Sequence, residues 1–173
     1  MNKTAIIRGL EEKFAILTGF LESLPEGRLS PPLAPGKWSI GQHVTHLILS
    51  TAPVVKALGL PKPVLREKFG TRGDAIERGE AELIAFYKKA LAGGLTAPPR
   101  LTPEAVAEDQ KALLIETLRQ ECAQLVAALE PWEESDLSEY MLPHPALGAL
   151  TMREMLIFTI FHTGHHMAAM GQG

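Results

Sequence analysis

The chain has 173 residues, is 46% hydrophobic and 21% charged, and carries a formal net charge of −3 at pH 7. That length suits one domain with a sizeable core, and residues 1–173 read as a single domain. The charge balance excludes a general affinity for nucleic acid, because the densest basic stretches, Lys88-Lys89 and Arg66 to Lys68, are short and sit beside acids.

Ile6, Leu10, Phe14, Leu17, Leu21 and Leu24 recur at spacings of three and four, which predicts a helix over 4–24. Pro25, Glu26 and Gly27 stop it, and the loop "PEGRLSPPLAPGK" follows over 25–37. Ser39 and Gln42 form an S-x-x-Q capping box that opens a second helix. Ile40, Val44, Leu47, Thr51, Val55 and Leu58 make one stripe along it, and Pro53 is a place for a kink or an early end. Residues 61–101 read mostly as loop, with a short helix in "EAELIAFYKKAL" stopped at Gly93-Gly94. A connection this long within a compact domain is often functional. Thr102 followed by Pro103 predicts an N-cap, and a long helix through "EAVAEDQKALLIETLRQECAQLVAALE". Residues 131–150 read as loop again. Thr151 and Glu154 then form a second capping box, T-x-x-E, opening the last helix. Strand-like alternation is absent. Four substantial amphipathic helices predict an all-α fold, a four-helix bundle with long inter-helix loops.

Cys122 is the lone cysteine, so no disulfide can form within the chain, and a reducing cytoplasm is the expected compartment. It lies in the helical stretch "LRQECAQLVAAL" and reads as a small packing residue rather than a nucleophile. The first residues lack the long apolar core of a signal peptide, and "EMLIFTIF" is too short to span a bilayer, so no membrane partner is expected.

The last helix holds three of the six histidines, in "FHTGHHMAAM". His162 and His166 are four apart and project about 40° from each other, which lets two imidazoles reach one metal. Met155, Phe158 and Thr159 lie on or near the same face, and His165 leans away from His166. Leu156, Ile157, Ile160 and Phe161 make the other faces apolar too, so the helix is buried on most sides and is not a surface tag. The alternative is a pair of core histidines satisfied by hydrogen bonds. Two histidines make a weak site for most first-row metals, so a third ligand is wanted. The second helix offers His43 and His46. Wheel geometry puts His43 nearer the centre of the apolar stripe and so favours it.

"KWSIGQHVTHL" at 37–47, "HPALGALT" at 144–151 and "HTGHH" at 162–166 together resemble the DinB superfamily, in the family's order and spacing. The resemblance implies an up-up-down-down four-helix bundle with a divalent metal held by three histidines. Carried onto this chain, the ligands are His46, His162 and His166. His43 becomes a neighbour, Gln42 is the capping-box residue, and His144 matches the family's loop histidine. Members often carry glutamine three residues after the last ligand, where this chain has Ala169.

Three imidazoles leave a coordination position open for water or substrate. The resemblance therefore implies a metal-dependent enzyme, a thiol S-transferase or a hydrolase, acting on a small molecule such as a low-molecular-weight thiol. The alternatives are a non-catalytic, stress-response bundle with a structural metal, and a bundle whose histidines only pack. Zinc or nickel is the expected ion, although histidine also suits copper and iron. Candidate proton-transfer groups are His43, His165 and acids of the 61–101 and 131–142 loops, and none has a spacing that marks it as catalytic. Members are often dimers, so a homodimer is expected.

Overall fold

The computed structural model describes residues 1–171. Helix α1 spans Lys3–Ser23 and starts where the Asn2 side chain accepts a hydrogen bond from the Ala5 N–H. Its predicted stripe points inward, with Ile6, Leu10, Phe14, Leu17 and Leu21 buried. The 25–37 loop then runs to Ser39, which caps α2 (Ile40–Leu58) in the expected reciprocal box with Gln42. Pro53 does not end α2, which continues for another turn on buried Val54, Ala57 and Leu58.

The 61–101 segment holds more helix than its composition suggests. It contains α3 (Lys62–Phe69) and α4 (Glu80–Ala92), with a single 3-10 turn at Pro99–Leu101. α4 stops at Gly93, as expected. The stretch between α3 and α4 is fixed from outside by ion pairs and hydrogen bonds. Buried Glu154 accepts from the backbone N–H and the Nε of Arg78, and Glu77 accepts from the Thr151 hydroxyl. These tertiary bonds leave no local pattern to read.

Thr102 does not cap a helix. Its hydroxyl donates to the carbonyls of Ala97 and Pro98, and α5 begins only at Lys111, running to Leu129. Tertiary contacts outweigh the local signal between them. Val106 is buried against Gly41, and the Glu108 carboxylate accepts from the backbone of Gly27, Leu29 and Ser30.

Residues 131–150 are likewise not all loop. A short α6 (Glu134–Glu139) leads into a two-stranded antiparallel hairpin, β1 (Met141–His144) and β2 (Gly148–Thr151). The strands have four residues each and one contains Pro143, too short and too interrupted to show alternation. Gly148 follows the turn with φ of 72°, a left-handed value that favours glycine. Thr151 then caps α7 (Met152–Ala169) in the expected box with Glu154.

α1, α2, α5 and α7 form the four-helix bundle. α5 packs against both α1 and α2, and α7 packs against the same two from the opposite side. The consecutive long helices α1 and α2 therefore sit on a diagonal. α4 lies against α7 outside the bundle. α7 is buried nearly all round, through Leu156, Ile157, Phe158 and Met167 among others, so its polar residues face protein on most sides. Among the described residues no single helix is long and apolar enough to cross a membrane.

Candidate metal centre

α2 and α7 are neighbours in the bundle, and their facing sides bring His46, His162 and His166 together. One ring nitrogen from each lies within 4.8 Å of the others, and all three residues are buried. The closest approaches are between Nε2 atoms, 3.3 Å from His46 to His162 and 3.0 Å from His166 to His162. Nitrogens held about 2.1 Å from one ion would be about 3.0–3.4 Å apart, depending on the coordination angle. The donor set thus fits a single divalent ion.

The far side of two rings is also engaged. His46 Nδ1 donates to the Leu101 carbonyl at 2.7 Å. A carbonyl can only accept, so the neutral His46 ring presents a bare Nε2 to the cluster. His166 Nδ1 lies 2.7 Å from His43 Nδ1. When His166 donates there, its Nε2 is bare as well. Partners of this kind hold metal-ligating imidazoles in one tautomer and orientation. Burial pushes the pKa of His46 and His166 down and that of His162 well down, and neighbouring histidines push His162 and His166 further. All three are neutral at pH 7, the form that donates a lone pair.

Aromatic rings fix the remaining freedom. Trp38 stacks on His166 with a 13° interplanar angle and packs on His46 at 5.0 Å. Phe158 stacks on His162 at 5.1 Å. The cluster opens onto a cavity of about 640 Å³ walled by α2, α4, α7, residues 95–101 and the β1–β2 turn. Its lining is mainly apolar, as in typical small-molecule sites.

A family model for the DinB superfamily matches residues 10–170. The chain belongs to the DinB superfamily. The crystal structure of TT2238, described as a four-helix bundle protein, is similar to it with a TM-score of 0.59, 19% identity and 99% of each chain covered. At that identity the likeness speaks for the fold alone. No curated protein matches the chain.

Within this DinB chain, His43 stands beside the cluster rather than in it, touching His166 from the outer side. The wheel argument for His43 fails because α2 is buried on several sides at once, so its stripe has no sharp centre. His165 is half-buried and faces Tyr87, 5.8 Å away between ring centroids. His144 sits at the end of β1, where its ring meets Phe158 at 4.5 Å. Ala169 is exposed at the end of α7, and Gln172 and Gly173 lie outside the described residues.

Sequence reasoning missed three participants. Trp38 was legible only as part of the family motif. Tyr87 gave no signal, being one aromatic residue in a short helix. The Leu101 carbonyl could not be found from side-chain chemistry, because it is a backbone atom 55 positions from the ring it holds.

Proposed function

We propose that this protein binds one divalent metal ion through Nε2 of His46, His162 and His166, and acts as a metal-dependent enzyme of the thiol S-transferase or hydrolase type. The observation that carries this reading is the convergence of three buried, neutral imidazoles at the wall of a mainly apolar cavity. Family membership supports it. A divalent ion bound there would lower the pKa of a coordinated water or thiol towards neutrality. The protein's own groups supply the rest. The Leu101 carbonyl and His43 orient the imidazoles, Trp38 and Phe158 hold the rings in place, and the cavity takes a small molecule while keeping bulk water from the cluster. Zinc or nickel suits the all-nitrogen donor set.

The test is metal content in protein purified without a histidine tag. About one zinc or nickel per chain is expected, and His46→Ala should reduce it to background. Content well below one per chain after refolding with zinc, nickel or manganese would overturn the reading. The loaded protein should couple a low-molecular-weight thiol to monochlorobimane. A loaded protein with no turnover across several thiols would assign the ion a structural role.

A further inference from the structure

The cavity wall carries one formally charged side chain, Arg100, and no carboxylate. None of the salt bridges among the described residues uses Arg100. A second polar group on the wall is fixed in an unusual way. His144 Nδ1 accepts hydrogen bonds from the backbone N–H groups of both Ala146 and Leu147, each at 3.1 Å. The acceptor nitrogen is therefore Nδ1, and the neutral ring must carry its proton on Nε2, on the opposite side from the turn. Burial lowers the His144 pKa to about 4, so this neutral tautomer holds at pH 7. The β1–β2 turn thus sets a donor in the wall of an otherwise mainly apolar cavity.

We propose that the cavity binds an apolar small molecule carrying a carboxylate, with the Arg100 guanidinium as its charge partner and His144 Nε2–H as a fixed donor to its polar oxygens. As a statement about substrate class it rests on the metal-enzyme reading above. Away from the histidine cluster the wall offers one cation and one neutral donor, which together match a single carboxylate group. The apolar wall matches the rest of the molecule, and the volume matches a ligand of modest size. Arg100 directly precedes Leu101, whose carbonyl holds His46, so the charge partner and the metal centre share one short piece of backbone.

The experiment compares 4-phenylbutyrate with its uncharged isostere 4-phenylbutanamide by isothermal titration calorimetry. It is run on both zinc-loaded and chelator-treated full-length protein, with Trp38 fluorescence as a second readout. The acid should bind at least tenfold more tightly than the amide. Arg100→Gln should remove that preference in both states, because a preference made by zinc alone would survive the substitution. His144→Asn keeps an acceptor for the turn N–H groups and removes the ring donor, so it should weaken acid and amide alike by several-fold with the melting curve unchanged. Equal binding of acid and amide, or a preference that survives Arg100→Gln, overturns the proposal. An effect of His144→Asn on folding but not on binding overturns the donor role, and a histidine NMR spectrum showing Nδ1 protonated would do so independently. Failure to bind zinc would strike the metal reading, while the chelator-treated arm would still decide the carboxylate.

Discussion

His166 engages both ring nitrogens, Nε2 towards His162 within the cluster and Nδ1 towards His43 beside it. His43 is thus a positioning residue for one proposed ligand. His43→Ala should weaken zinc binding by about 10–100-fold, the usual cost of losing a partner of a ligating histidine. Competition with a chromogenic chelator would measure it, and an affinity equal to wild type would show that the contact orients nothing. Protonation acts on the same residues. All six histidines have pKa values held below the ordinary 6.5, with burial the largest cause for each. For His43 and His144 the folded value is about 4. The unfolded chain therefore binds more protons between pH 6.5 and 4, and stability must fall as pH drops through that window. Denaturant midpoints of chelator-treated protein should be level above pH 7 and decline steadily towards pH 4.5. A flat profile would show that these rings ionise freely in the fold. The His162/His166 pair was legible in sequence because both lie on one helix at a diagnostic spacing. The choice between His43 and His46 was not legible from periodicity, since α2 buries Gly41, Val44, His46 and Leu47 on different sides. It came from the family motif.

Local signals decided the helix starts that depend on one side chain and its own backbone. Ser39 with Gln42 and Thr151 with Glu154 are both closed as reciprocal boxes. Thr102-Pro103 carried the same kind of signal and failed, because Val106 is buried against α2 before α5 can begin. That contact makes a sharp prediction about Gly41. A Cβ there would lie 2.8 Å from Val106 Cβ and Cγ1 and 3.3 Å from Leu29 Cγ, with no flexible chain end to yield at the Val106 Cβ. Gly41→Ala should therefore destabilise by about 1–3 kcal/mol despite the better helix propensity of alanine. Gly19, inside the C-terminal part of α1, has nothing within 4 Å of a built Cβ, so Gly19→Ala should stabilise by about 0.5–1 kcal/mol. Urea unfolding of the two variants compares them directly, and shifts of the same sign would contradict the packing described at Gly41. The hairpin and α3 stayed hidden for the complementary reason. Each is short, and each is held by partners distant in sequence, such as Glu139 pairing with Arg66 of α3 and Arg78 donating to the Ala149 carbonyl of β2.

At the scale of the molecule, the proposed ligands join two helices whose residues are 116 positions apart at His46 and His162. An ion bridging α2 and α7 binds the folded chain and has no comparable site in the unfolded one. Zinc at about 100 times its dissociation constant should add about 2.7 kcal/mol to stability. For a chain of this size that raises the melting temperature by about 5–10 °C. Scanning calorimetry with and without zinc would register it, and His162→Ala should abolish the shift. No shift in the wild-type chain would mean that the ion does not hold the two helices.

The stretch from Leu95 to Leu101 walls the cavity on one side, and its last carbonyl holds His46. A guest that pressed this wall outward would lengthen the bond to the ring, and one that drew it inward would tighten it. Where a guest moves this wall, occupancy of the cavity and occupancy of the cluster are linked, and thermodynamic reciprocity then requires each to change the other by the same factor. The pair would respond to its surroundings as a two-input device, with metal supply tuning small-molecule affinity and the small molecule tuning metal retention.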